Sequence, residues 1–241
     1  MKQTELTGFV ILRKNINDAD KIITILSKEQ GRQSFIAKGI RKPRAKLQSH
    51  LEPLVETKYR ILGNGKLPTL VGARGLFSNE FYGKTVDVNV SGLLLTEIVE
   101  AFTVEAMPNR PAYDAYQASL ATIISKPGIS LSLSYYILGL MRAFGVEPDI
   151  EKGHSLYHLD INNGTLNNLV SADSSAVNLN IAKLWNACLI YDIETVLRLK
   201  IDKKTLADSL NLLLTYTQHH IERKLKSAKV LSESTNLLQA S

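Results

Sequence analysis

The spacing of apolar residues changes along this chain, and the change falls near residues 80–85. Before it, apolar side chains come in short β-rich runs such as Lys21–Leu26, which are typical of strands. After it, they recur every three or four residues, as in Leu133, Ile137, Leu140 and Phe144, which predicts helices. The chain is therefore predicted to be an α+β protein in two parts, residues 1–82 and 83–241.

The first part contains five short strand candidates separated by turns. Gly31 suits a turn that needs positive φ, and Asn64-Gly65 is a strong hairpin signal. Arg13–Asp20 is predicted to be a charged turn, and Lys38–Lys46 a loop. Five short strands within about 80 residues are typical of a small barrel such as the OB-fold. The strand candidates are Thr7–Leu12, Lys21–Leu26, Arg32–Ala37, Glu52–Leu62 and Thr69–Phe77.

The second part is predicted to be all-α with one short insertion. Pro108 and Pro111 break a helix, and Pro111 suits the first turn of the next one. Residues 145–175 are predicted to be irregular, with a hairpin around Asn163-Gly164. The remaining apolar periodicity predicts helices at Leu95–Phe102, Leu133–Phe144, Ala176–Ile190 and Lys203–Val230.

Positive charge is concentrated in the first part. Of the 29 lysines and arginines and 23 acidic residues, residues 1–84 hold 16 and 7, a net charge of +9. The remaining 13 and 16 leave residues 85–241 with a net charge of −3, and the sum is the +6 of the whole chain. Such asymmetry predicts that the first part binds a polyanion, and nucleic acid is the expected one.

The densest basic segment is Lys38–Lys46, in which five of nine residues are cationic and none is acidic. Gly39 allows a backbone to approach a phosphate closely, and Pro43 stiffens the loop, which reduces the entropy lost on binding. The alternative interpretation is a solvated basic loop without a ligand. Because small barrels bind strands across such loops, we predict a DNA-binding surface. Its expected cations are Arg13, Lys14, Lys21, Arg32, Lys38, Arg41, Lys42, Arg44 and Lys46.

Aromatic side chains in this part offer one candidate for stacking on bases. Phe9 and Phe35 lie among apolar β residues and are expected in the core. Tyr59 lies between Lys58 and Arg60, so it is the better candidate for contact with a nucleic acid base.

No pattern for covalent chemistry or metal binding is found. The single cysteine, Cys188, lies on the apolar face of a predicted helix and is expected to be a buried hydrophobe. Residues 60–67 fail the phosphate-loop pattern, because Arg60 replaces the first glycine and Leu67 the magnesium-binding Ser or Thr. His154 and His158 lack acidic or cysteine partners at metal spacing. We therefore expect no enzyme activity, no cofactor and no metal.

Nothing in the sequence indicates a membrane protein. There is no apolar run of about 18 residues, and the N-terminus lacks the apolar stretch of a signal peptide. A cytoplasmic location is the expectation.

Several short blocks, in order and spacing, resemble the RecO recombination mediators of bacteria. The resemblance is dense over residues 1–80 and thinner, though collinear, over the rest. It ends with Leu225-Lys226-Ser227 and Lys229, which are similar to the family's closing signature. The N-terminal blocks are Gly8–Arg13, Asp18–Thr24, Glu29–Gly31, Ala37–Lys42 and Leu51–Pro53.

This resemblance implies an OB-fold followed by a helical domain that serves partner interaction. It implies binding of single- and double-stranded DNA, annealing of complementary strands, and contacts with RecR and with the tail of the single-stranded DNA-binding protein. It also implies help in loading recombinase onto single strands and a nucleoid-associated location. By the same analogy, Lys38, Arg41 and Lys42 fall on the family's basic loop, and Arg13 falls on its first strand.

The helical part departs from the family pattern in one respect. Many members carry a four-cysteine zinc finger after a Gly-x-x-Pro segment, which is Gly145–Pro148 here, and no cysteine follows in residues 145–175. We therefore predict a degenerate finger region without zinc. Arg142 and Arg223 are expected on helices that border an apolar pocket for an acidic peptide tail.

Two other functions compete with DNA binding. An RNA-binding barrel protein would share the basic barrel, and a non-catalytic scaffold would use the basic residues for solubility alone. Comparing DNA with RNA affinity at matched salt separates the first, and a salt-dependent DNA titration separates the second.

Overall fold

A computed structural model describes residues 3–43, 45, 47–63, 65–76, 81, 84–125, 129–171 and 174–239, with side chains up to residue 232. The chain divides into two compact units, Met1–Asp114 and Ala115–Ser241. Strands give way to helices at Val86, as the change in apolar spacing predicts.

The first unit is built on a closed five-stranded barrel in the order β1-β2-β3-β5-β4. All neighbouring strands are antiparallel except β3 and β5, which pair in parallel through Ile36 and Thr69. This arrangement confirms the predicted OB-fold-like barrel. The strands are β1 Gln3–Asn15, β2 Lys21–Ser27, β3 Gly31–Ala37, β4 Thr57–Leu62 and β5 Thr69–Gly75.

Strand β1 closes the barrel by pairing with two neighbours. Gln3–Gly8 pair with β4, and the rest of the strand pairs with β2. Gly8 is the shared residue, and a β-carbon there would lie 2.1 Å from the backbone oxygen of Leu26, so only glycine fits. A β-bulge between Val10 and Leu12 then bends the strand.

Several predicted boundaries in the barrel are wrong. Strand β1 begins at Gln3 and not at Thr7, because its first residues pair with β4, and β5 ends at Gly75, with Phe77 outside the described residues. Arg13, Lys14 and Asn15 pair with β2 and extend β1, so the turn covers only residues 16–20. The predicted strand Glu52–Leu62 begins only at Thr57, because Pro53 lacks a backbone donor and Leu54 has a φ of 74°. A 3-10 helix, Gln48–Leu51, precedes this segment and buries Leu51 in the barrel core.

The first unit runs past the barrel to Asp114. Helix α1, Val86–Phe102, begins at Thr85, whose side chain accepts a hydrogen bond from the Val88 N–H, and it packs on β1. Phe9 and Tyr113 are in ring contact, with centroids 5.6 Å apart, so the outer face of β1 is buried as well. The domain boundary at residue 82 stays a prediction.

The second unit consists of helices and a small sheet in the order β6-β8-β7-β9. Trp185 is fully buried in its core and donates from Nε1 to Ser209 Oγ over 2.9 Å. Helix α2 begins within the first unit, with Pro111 in its first turn as predicted. The elements are α2 Arg110–Ser125, α3 Ile129–Phe144, β6 Asp149–Ile150, β7 Tyr157–Asp160, β8 Thr165–Asn167, β9 Ser174–Val177, α4 Leu179–Ile190, α5 Ile193–Val196, α6 Lys203–His220 and α7 Lys226–Gln239.

The insertion and two helices differ in detail from prediction. The hairpin at Asn163-Gly164 is confirmed, with Gly164 at a φ of 66°, but it belongs to a four-stranded sheet and is not irregular. Helix α4 begins at Leu179 and not at 176, because the Asn178 side chain caps it. The predicted helix Lys203–Val230 is two helices, since Glu222 takes a φ of 52° and ends the first.

Candidate nucleic-acid interface

One end of the barrel brings together the turn after β1 and the basic turn after β3. Asn17 Oδ1 accepts hydrogen bonds from the N–H groups of Ala19 and Asp20, at 2.9 and 2.7 Å, which fixes the first turn. Asp20 Oδ1 in turn accepts from the Gly39 N–H at 2.6 Å. Gly39 has a φ of 67°, a conformation that suits glycine, so the two turns are locked together through this residue.

The Asp20 carboxylate is electrostatically suited to this position. The hydrogen bond from the Gly39 N–H, then that from Asn17, and then the charges of Lys38 and Lys42 hold the pKa of Asp20 below its ordinary value. The carboxylate therefore stays ionised and accepting at neutral pH, which keeps the basic turn in place.

The basic turn is anchored by a buried residue between exposed cations. Ile40 is 4% exposed and belongs to the barrel core, whereas Lys38, Arg41 and Lys42 are exposed. The Arg41 N–H donates to the Ala19 oxygen at 3.0 Å, and Arg41 Nη1 donates to the Asn17 oxygen at 2.6 Å. The three cations are thereby held at the barrel end.

Three more predicted cations lie at the same end. Lys21 is opposite Asn15 on β1 and Ala37 on β3, and Lys14 is opposite Ile22. Arg13 is already paired, because its Nη1 lies 2.6 Å from Glu52 Oε1. The six residues, called the basic rim below, are Arg13, Lys14, Lys21, Lys38, Arg41 and Lys42.

The basic rim is short of acidic partners. Lys14, Lys21, Lys38 and Lys42 form no ion pair with any residue that the structure describes. Asp20 and Glu52 are the carboxylates bonded into this end of the barrel. Six cations clustered in this way produce a positive potential that suits a polyanion.

Arg32 and Tyr59 do not belong to this surface, contrary to prediction. Arg32 Nη1 donates to the backbone oxygens of Glu100 and Thr103, at 2.8 and 3.1 Å, and Nη2 lies 3.2 Å from Glu100 Oε1. Its guanidinium therefore fastens the segment after α1 to β3. Tyr59 is fully buried in the barrel core, where it cannot stack on a base, and burial raises its pKa.

Sequence reasoning missed the cations beside Tyr59. Residues of β4 alternate between buried and exposed, so Tyr59 points inward while Lys58 and Arg60 point outward. Arg74 on β5 lies opposite Lys58, and Lys66 is exposed in the loop between these strands. The period-two alternation around Tyr59 was the available signal. Arg44 and Lys46 lie outside the described residues.

Arg142 lies on a helix as predicted and Arg223 does not, and their role at a pocket stays a prediction. Arg142, on α3, donates to the Leu189 oxygen at 2.7 Å and lies 3.5 Å from Glu147. Arg223 is not helical, since it lies between α6 and α7. Two cavities of about 280 and 510 Å³ share Lys183 in their lining, and neither arginine lines them.

The described residues offer neither a grouped metal site nor an exposed thiol. In the part of the chain that the structure describes, no three His, Cys, Asp or Glu side chains are grouped as a metal site would need. Burial raises the pKa of the Cys188 thiol to about 12, as expected of a packed hydrophobe. None of the described helices is long and apolar enough to span a bilayer.

Comparison with known families covers both units. Residues 1–78 match the model for the N-terminal region of recombination protein O, and residues 85–229 match the model for its C-terminal region. The chain belongs to the RecO family. The two matches meet across residues 79–84, where apolar spacing changes from strands to helices.

Individual relatives agree with this assignment. The DNA repair protein RecO of Roseiflexus sp. strain RS-1 is 25% identical over 97% of this chain and 87% of its own length. That of Pelotomaculum thermopropionicum is 21% identical over 94% of this chain and 93% of its own. The Syntrophus aciditrophicus protein is 24% identical, with 94% of each chain covered. The RecO resemblance seen in the sequence is confirmed along the chain.

Proposed function

We propose that this RecO-family protein binds single- and double-stranded DNA through the basic rim, anneals complementary strands and helps load recombinase during recombinational repair. One observation carries the proposal: the hydrogen bonds of Asp20 and Arg41 fix the turn that presents the exposed cations at one end of an OB-like barrel. A turn that is already ordered loses less backbone entropy when its cations meet phosphates. The relatives are DNA repair proteins by name, which supports DNA as the polyanion.

Annealing needs no covalent step in this mechanism. Two complementary strands repel each other through their phosphates, and cations that neutralise those phosphates lower the repulsion and speed pairing. If about five phosphates are contacted, a single-strand slope near −0.7 per contact predicts an affinity loss on the order of 10² between 50 and 200 mM salt.

The decisive variant replaces Lys38, Arg41 and Lys42 together by Glu. We expect it to stay folded, with a thermal midpoint lowered by loss of the Arg41 Nη1–Asn17 hydrogen bond, and to lose most single-strand binding in a fluorescence-anisotropy titration below that midpoint. The matched control replaces Lys203, Lys204 and Lys224, which are exposed lysines of the second unit, by Glu, so that both variants have the same net charge. Equal affinities of the two variants would refute the basic rim as the DNA site.

The two competing functions have distinct outcomes in the same titration. An RNA-binding protein would prefer RNA over DNA of the same sequence at matched salt. A scaffold would give no linear dependence of log affinity on log salt. A nucleoid-associated location follows from DNA binding and stays a prediction.

The partner-binding part of the proposal concerns the second unit. We propose that it docks RecR and the acidic tail of the single-stranded DNA-binding protein, with Arg142 as a contact for a carboxylate. Arg142 is half exposed beside Glu147, so an acidic peptide would compete with that pair. Polarisation titration of the tail peptide should be weakened by Arg142→Gln and not by Arg198→Gln, a second exposed arginine. Absence of peptide binding by the unmodified protein would remove this role.

A further inference from the structure

The outer face of strands β4 and β5 carries a row of cationic side chains. Lys58 lies opposite Arg74, and Arg60 lies opposite Gly72, so these four positions face the same way. Because Tyr59 points into the core, that face points to solvent. Lys58, Arg60 and Arg74 are called the basic strip below.

Arg60 lies flat on the sheet over Gly72. A β-carbon at residue 72 would be 2.5 Å from Nε, 2.8 Å from Nη2 and 3.0 Å from Cζ of Arg60. Short distances to three guanidinium atoms mean that the plane of the group rests on the glycine. A planar group held in this way is preorganised to hydrogen-bond a phosphate or to stack on a base.

The charge of the strip is only partly compensated. Lys58 Nζ lies 2.6 Å from Glu5 Oε2 on β1. Arg60 and Arg74 form no ion pair with any described residue. Like charges on directly opposite strand positions, as at Lys58 and Arg74, repel each other, and a bound polyanion relieves that repulsion.

The strip and the rim use different strands of the barrel. The basic rim lies at the ends of β1, β2 and β3, whereas the strip follows the outer face of β4 and β5. The segment before β5 is joined to β3, where the Ile36 N–H donates to the Pro68 oxygen at 2.9 Å, and Lys66 nearby in the chain is exposed. A protein that anneals strands has to bring two of them together, and a second basic surface on the same barrel provides phosphate contacts for the second one.

We propose that the basic strip binds the phosphates of a second DNA strand while the basic rim holds the first. This inference rests on the proposed annealing function and assigns Arg60 and Arg74 as its main contacts. The ligand class is the phosphodiester backbone, without base specificity, because lysine and arginine are the usual phosphate contacts and the neighbouring carboxylate, Glu5 opposite Arg60, is already engaged by Lys58.

The first test is the double variant Arg60→Gln and Arg74→Gln. Its affinity for an oligonucleotide of about ten nucleotides, the size that one OB-fold covers, should stay near that of the unmodified protein. Its rate of annealing complementary oligonucleotides should fall at least about tenfold, since loss of one charged hydrogen bond is worth roughly that factor. The slope of the logarithm of the annealing rate against the logarithm of the salt concentration should become shallower by about 1.4, because two phosphate contacts of about 0.7 each are lost.

The matched control for charge is Lys203→Gln with Lys204→Gln, which removes two exposed cations from the second unit. An annealing rate of the strip variant equal to that of the control would overturn the proposal. So would an equal loss in short-strand affinity and in annealing, because strip and rim would then form one track for one strand. If the proposed annealing function itself is wrong, the unmodified protein will not accelerate annealing, and this result is distinct from a failure of the basic strip alone.

The second test moves Arg60 without removing its charge. Gly72→Ala places a methyl group where the guanidinium rests, and the flexible arginine must swing away while the backbone stays as it is. Gly139→Ala, on α3 with open space around it, is the control for adding a methyl group. We expect slower annealing with Gly72→Ala alone. Equal rates for both alanine variants would show that the placed guanidinium is not used.

Discussion

The position of Tyr59 gives the sharpest test of how the barrel meets DNA. Tyr59→Leu keeps an apolar side chain but removes the aromatic ring. If Tyr59 stacked on a base, the loss would be about 1–3 kcal/mol, or roughly 5- to 150-fold in affinity. Tyr59 is fully buried in the core, so we expect the DNA affinity of the folded protein to stay unchanged.

The cost of Tyr59→Leu should appear in stability instead. Truncating a buried aromatic ring to alanine costs about 3–5 kcal/mol, and the larger leucine should reduce this to roughly 2 kcal/mol. A domain stable by about 5 kcal/mol would then remain about 99% folded, so binding can still be measured. Urea unfolding measures the loss of stability, and fluorescence anisotropy with a single-stranded oligonucleotide measures the DNA affinity.

The control for Tyr59→Leu is Lys42→Gln on the basic rim. Lys42 is exposed, so this variant should weaken DNA binding and leave the urea midpoint unchanged. Tyr59→Leu should therefore lower stability without changing DNA affinity, and Lys42→Gln should lower DNA affinity without changing stability. A clear loss of DNA affinity in Tyr59→Leu at full folding would refute the placement of Tyr59 in the core.

Three further predictions concern the residues that hold the interface and the second unit. Arg32→Gln removes the cation that pairs with the nearly buried Glu100, so the free energy of unfolding measured in urea should drop by about 2–4 kcal/mol. The DNA affinity should stay unchanged, and a reduced affinity at unchanged stability would show that Arg32 is a DNA contact. The Asp20 pKa is lowered on folding, so the carboxylate stabilises the fold above its unfolded pKa near 3.8, and this stabilisation is lost as the pH falls through the lower folded value. In this acid range the urea midpoint of Asp20→Asn should therefore decline less than that of the unmodified protein. Parallel declines would contradict a stabilising hydrogen bond from Gly39 to the Asp20 carboxylate. Incubation with EDTA should leave the thermal midpoint unchanged, because no described cluster offers three metal ligands, and a lowered midpoint would indicate a bound metal.

Some features of the fold could be predicted because they depend on local sequence. The change from period two to period 3.6 located the transition at Val86, and Asn163-Gly164 located the hairpin. The extension of β1 through Asn15 could not be predicted, because its charged residues are held by pairing with β2. The break after α6 was also missed although its cause is local: Glu222 takes a φ of 52°, and the Gln218 side chain accepts from the Leu225 N–H beyond it.

The candidate site shows the same division between local and tertiary information. Lys38, Arg41 and Lys42 were evident as a basic segment, and their exposure agrees with that role. Arg32 looked equivalent in sequence, yet Glu100 lies 68 positions away and neutralises it. Arg60 is next to Tyr59 in sequence, yet alternation along β4 points the two side chains to opposite faces, so only the outward one can meet a ligand.

The sequence by itself determined the two-part organisation, the basic first part and the family. Periodicity, charge and short ordered motifs are properties of neighbouring residues, so they need no knowledge of distant contacts. Only the tertiary structure decided which cations are available. Barrel closure buries one face of each strand, and long-range pairs such as Arg32–Glu100 and Asp20–Gly39 then either consume a charge or fix it in place.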